Sequence, residues 1–149
     1  MGVKAVFCVA TPVLAALASN AIIALKGWGR KATKASQQRM RGLPPGWVIG
    51  TVWVLIFGLL GWVWFLVWGS PLAHAAVVAL ILYCLAYPLA TGGLRNGTVA
   101  KVLNVLALVF SFTTALVTQR ALPKTVWFLT PILAWTAYVN MVQAVNCSA

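Results

Sequence analysis

"PPGWVIGTVWVLIFGLLGWVWFLVWG", residues 44–69, carries five of the chain's eight tryptophans: Trp47, Trp53, Trp62, Trp64 and Trp68. No charged residue interrupts it, and it exceeds the ~20 apolar residues that cross a bilayer as a helix. A water-soluble core seldom holds so many indoles on one segment, because each buried N–H needs a partner and the rings are awkward to pack. The stretch therefore reads as a spanning helix. Its end tryptophans (Trp47, Trp64 and Trp68) are expected at the headgroup level, and Trp53 is expected deeper.

The rest of the chain agrees with that reading. Of 149 residues, 62% are hydrophobic and 7% charged, with a mean hydropathy of +0.96; a soluble domain carries roughly 25% charged residues. Five apolar runs, at about 5–25, 47–68, 72–91, 98–118 and 125–146, are separated by Gly-Ser-Pro at 69–71, Gly92-Gly93 with Asn96-Gly97, and Pro123-Lys124. The first run reads as a mature helix, because its apolar length is long for a signal peptide and Lys26 flanks it like a stop-transfer signal. The expected fold is all-α: a single transmembrane domain over 1–149, a bundle of five helices with a basic loop at 26–46.

Aspartate and glutamate are absent, and Lys plus Arg number 11. Paired-carboxylate hydrolysis, carboxylate bases, Mg²⁺ or Ca²⁺ sites and carboxylate proton relays are thereby excluded. The three cysteines and the single histidine, His74, have no metal-ligand spacing. No metal, no required cofactor and no catalytic set is expected. The basic residues flank spanning segments, so the expected partner is the anionic surface of the lipid bilayer and not nucleic acid. Lys26, Arg30, Lys31, Lys34, Arg39, Arg41, Arg95 and Lys101 fall on one side of a five-span topology, against Lys4, Arg120 and Lys124 on the other. The positive-inside rule then puts the long loop and C-terminus in the cytosol and the N-terminus outside or in a lumen.

At 100° per residue, Gly50, Trp53, Phe57, Gly61, Trp64 and Trp68 share an arc of roughly 80° on the second helix. On the fifth, Trp127, Pro131, Ala134, Trp135, Tyr138, Val142 and Val145 cluster at the same period, and Pro131 removes a backbone hydrogen bond one turn before Trp135. Small residues beside large rings permit a slot for a flat ligand or ordinary close packing. Spacing alone leaves both open.

The segment quoted first, together with "LTPILAWTAYVNMVQAVN" at 129–146, resembles the translocator protein family, also called tryptophan-rich sensory proteins or peripheral-type benzodiazepine receptors. The resemblance implies five helices, a homodimer, and a pocket under the first loop for porphyrins, haem-like tetrapyrroles, sterol-like molecules or aromatic drugs. By motif, Trp53 and Trp135 match the family's pocket tryptophans, which some members use in light-dependent porphyrin breakdown; Pro44, Pro45 and Pro131 match its prolines. The chain departs from the pattern on its third helix, which keeps Leu82-Tyr83 but has Ala86, Ala90 and Gly93 where Gln, Asn and Trp are usual. Ile132 follows Pro131 in place of tyrosine.

The resulting expectation is a membrane receptor or carrier of flat hydrophobic ligands, porphyrin or haem among them. Gly50, Trp53, Phe57, Pro131, Trp135 and Tyr138 would bind the ligand, and Arg39 and Arg41 would attract its acidic groups. Tryptophan-dependent porphyrin photodegradation and a purely structural role are the alternatives. The pair Ala75/Ala79, in small-xxx-small spacing on the third helix, is the expected dimer contact.

Overall fold

The computed structural model describes residues 2–26, 42–94 and 97–147. They form five helices: α1 (Val3–Leu25), α2 (Gly46–Leu66), α3 (Pro71–Leu94), α4 (Gly97–Ala121) and α5 (Thr125–Cys147). Each contains a window long and apolar enough to cross a membrane. Helices suit this setting because a bilayer offers backbone groups no partners other than their own.

Local chemistry sets the ends. Pro45, extended at φ −60° and ψ 150°, starts α2; its carbonyl accepts from Val48 and Ile49 N–H. Pro71 opens α3, where a missing N–H costs nothing. Thr125 closes the α4–α5 turn by donating its hydroxyl to the Leu122 carbonyl at 2.7 Å. Two ends differ from the sequence expectation. α3 runs through Gly92-Gly93 to Leu94, and α4 extends to Ala121, just before Leu122 and Pro123. Helical glycine costs about 1 kcal/mol against alanine, less than leaving backbone groups unpaired near lipid.

The helices do not pack in sequence order. α1 contacts α2, α2 contacts α5, α5 contacts α4, α4 contacts α3, and α3 returns to α1; α2 also touches α3. α5 thus sits between α2 and α4. The core between them contains Ile56, Phe57, Leu60 and Val63 of α2, Val77, Leu80 and Ile81 of α3, and Leu129 and Ile132 of α5.

α1 meets this bundle through a narrow stripe of Ala5, Cys8, Pro12 and Ala16. Pro12 has no N–H to give the Cys8 carbonyl one turn earlier. Gly61 of α2 packs onto that carbonyl: a β-carbon at Gly61 would lie 2.7 Å from Val9 Cα and closer still to Cys8 O. Two backbones touch here, and glycine is what permits it.

Candidate functional site

About 10 Å below the end of the bundle that bears the first loop, seven residues into α2 at 1.5 Å per residue, a small cavity opens between α2, α3, α4 and α5. Trp53 of α2 and Trp135 of α5 both line it. α3 contributes Tyr83, Cys84 and Tyr87; α4 contributes Asn104 and Ala107; α5 adds Thr136 and Val139. Its volume is about 20 Å³, room for roughly one water molecule.

Neighbouring rings hold the two indoles. Trp53 leans on Phe57, with centroids 5.8 Å apart and planes at 37°; Trp135 leans on Tyr138 at 5.9 Å and 36°. Phe57 is buried in the core and supports Trp53 without lining the space itself. Tyr138 donates its hydroxyl to the Gly42 carbonyl, which ties the end of the first loop over α5. Gly42 has φ 101°, a left-handed conformation that suits glycine.

The polar side of the cavity is cross-braced. Tyr83 donates to the Leu103 carbonyl of α4 at 2.6 Å, and its ring stacks on Phe110 at 5.3 Å and 9°. Asn140 of α5 donates to the carbonyls of Asn104 at 3.0 Å and Thr136 at 2.8 Å, joining α4 to α5. The Thr136 hydroxyl is taken by the Ile132 carbonyl at 2.8 Å. Such internal satisfaction is expected of hydroxyls and amides facing a bundle interior in lipid.

Not every expected site residue is here. Pro131 is exposed, as are Ala134 and Trp127; the inward face of α5 runs through Thr125, Leu129, Ile132 and Thr136. The fifth-helix stripe drawn from spacing is therefore rotated off the true interior, and Trp135 and Val142 mark its inner edge. Gly50 is half-buried and meets nothing within 4 Å of a hypothetical β-carbon. Arg39 and Arg41 lie outside the described residues.

Trp64 has a protein partner. Its indole N–H points into the His74 ring, 3.2 Å from Nδ1 and 3.3 Å from Nε2. Trp68 stacks on Trp64 at 5.9 Å, and Lys4 Nζ sits 5.9 Å from the Trp68 ring. This cluster closes the end of the bundle opposite the cavity. Among the described residues, Trp47 and Trp127 are the strongly exposed indoles, at 76% and 78%, and fit an interfacial belt.

The sequence reading missed Tyr83, Tyr87, Asn104 and Thr136 as lining residues. A signal for part of them exists on α4: Asn104, Ala107, Ser111, Thr114 and Thr118 repeat at spacings of 3, 4, 3 and 4. Polar and small residues recurring at helical period inside a spanning segment mark its protein-facing side.

The profile of the TspO/MBR family matches residues 6–146. The chain belongs to the TspO/MBR family. The match takes in all five helices, including α4, where no motif carried the resemblance. As a TspO/MBR member the chain is an integral multi-pass membrane protein in contact with the lipid bilayer. No curated protein and no solved structure matches the chain.

Proposed function

We propose that this TspO/MBR protein is a receptor or carrier for flat hydrophobic ligands, tetrapyrroles among them, which bind between α2 and α5 beneath the first loop. One observation carries the reading: Trp53 and Trp135, far apart in sequence, line the same cavity. The cavity of about 20 Å³ is far smaller than a macrocycle, so binding requires the indoles and Tyr138 to swing apart and the Gly42 contact to open. The first loop, cytosolic in this reading and with Arg39 and Arg41 among its basic residues, would then meet the ligand's acidic groups.

Titration of the detergent-solubilised protein with protoporphyrin tests it. Trp53→Phe and Trp135→Phe each keep a ring but lose area and the N–H, and should weaken binding by roughly fivefold, about 1 kcal/mol. Trp68→Phe, at the far end, should leave affinity unchanged. Equal effects at all three sites, or no saturable quenching of tryptophan emission, would remove the pocket. The same titration under illumination separates binding, which quenches reversibly, from breakdown, which bleaches the pigment.

A homodimer through α3 is part of the same proposal. Ala75 and Ala79 both lie on the exposed face of that helix, whereas Ala73 is buried in the bundle. The double substitution of Ala75 and Ala79 by leucine should shift the mass measured by light scattering towards monomer. An unchanged mass would move the contact to another helix.

A further inference from the structure

The cavity contains one feature that stacking on tryptophan does not use. Asn104 is 7% exposed, lines the cavity, and its side-chain Nδ2 has no hydrogen-bond partner. Among the described residues no other buried side-chain nitrogen or oxygen is in that position. No neighbouring oxygen accepts from it. The Tyr83 and Thr136 hydroxyls and the Asn140 amide direct their own hydrogens to backbone carbonyls. The Tyr87 hydroxyl is near enough to interact with the Asn104 side chain, but the amide N–H does not complete a hydrogen bond of normal geometry to it. An unpaired buried donor costs about 1–3 kcal/mol, and in lipid no solvent relieves it.

We propose that the Asn104 side-chain amide is the specificity-determining anchor of this cavity, donating to a neutral acceptor on the edge of a flat aromatic ligand that stacks against Trp53 and Trp135. The proposal rests on the ligand-pocket reading above. Three features define the acceptor. The free atom is an N–H donor, so the ligand must present a lone pair. None of the residues lining the cavity is charged; a carboxylate there would be a buried, unpaired charge, which is far costlier than a buried carbonyl. The space of about 20 Å³ admits an oxygen-sized group even before the indoles part. A ring carbonyl meets all three conditions, and an unprotonated ring nitrogen meets the first two. Acidic substituents would be turned the other way, towards the first loop.

Position supports the assignment. The family pattern has amide side chains on the third helix, but here Ala86, which stands at one of those positions, is exposed. The amide that reaches the cavity comes from α4 instead, held in place because Asn140 clamps its backbone carbonyl at 3.0 Å. The donor thus comes from α4 and Trp53 from α2, so ligands with an acceptor on the α4 edge are selected.

Fluorene and fluorenone form the test pair, since they share one flat skeleton and differ by a methylene against a carbonyl. Their affinities are measured for the full chain in detergent by competition with protoporphyrin. Wild type should prefer fluorenone by roughly fivefold, the value of one hydrogen bond. In Asn104→Leu, which keeps the volume and removes the donor, that preference should vanish while fluorene binds as before. Should Asn104→Leu not fold, Asn104→Ala gives the same comparison, and the wild-type ratio stands without any variant. Equal wild-type affinities, or a preference that survives both substitutions, would overturn the role of Asn104 while leaving the pocket intact. Failure of protoporphyrin and both probes to bind would overturn the pocket and this inference together.

Discussion

Replacing Gly61 by alanine is expected to destabilise the folded bundle by about 3 kcal/mol or more, at the upper end of what overpacking costs. The added methyl would meet backbone on both sides, with Val9 Cα at 2.7 Å and Cys8 O nearer still, and the Pro12 ring at 3.1 Å. Nothing flexible is available to move. α1 must separate from α2, and its narrow stripe of Ala5, Cys8, Pro12 and Ala16 has no long side chains with which to re-engage. Two glycines on the same helix are internal controls. Gly58 would bring a β-carbon only to ordinary contact with Val13 at 4.0 Å, and Gly50 meets nothing within 4 Å. Alanine at either gains helix propensity of up to ~1 kcal/mol, so both should be neutral or stabilising. Thermal unfolding in detergent, followed by tryptophan emission, distinguishes the three. A Gly61→Ala protein that melts with the controls would mean that α1 and α2 do not approach this closely.

The second large effect is expected at Leu129, where substitution by alanine should cost about 2 kcal/mol. Leu129 is fully buried, at 0% exposure, on the α5 face that packs into the core. In water-soluble cores, leucine to alanine costs about 3–5 kcal/mol, part of it lost transfer out of water and part the cavity left behind. Lipid tails are as apolar as leucine, so the transfer part largely disappears here and the lost packing remains. Trp127, half a turn away on the same helix, provides the contrast. It is the larger side chain, yet it is 78% exposed, and Trp127→Ala should lower the unfolding temperature much less than Leu129→Ala. The reverse order would place the interior of α5 on the Trp127–Pro131 side.

That contrast shows where sequence reading was strong and where it was weak. The number of spans, their approximate limits and the basic loop were legible because a bilayer imposes length and backbone satisfaction on every crossing segment. Trp53 was legible as an inward indole because α2 packs against three other helices and most of its striped face is buried or half-buried. Trp135 was reached by motif, although the stripe drawn around it on α5 faced the wrong way. The sequence places Trp64 near a helix end, but that His74 comes from α3 to meet its N–H is visible only in the tertiary structure.

Composition and spacing are enough to give the class: five apolar helices, no acidic side chains, and two tryptophans set apart from a belt of others. Tertiary structure alone decided that α5 lies between α2 and α4, that Tyr83, Tyr87 and Asn104 join the tryptophans around one cavity, and that Pro131 faces outward. The reason is physical. In water, the apolar face of a helix is its inner face, so periodicity reports orientation. In a bilayer the lipid-facing and protein-facing sides are both apolar, so the hydrophobic period carries little information about which side is in. What remains informative is where the rare polar and small residues recur, and α4, the helix with the plainest such stripe, has no tryptophan to draw the eye.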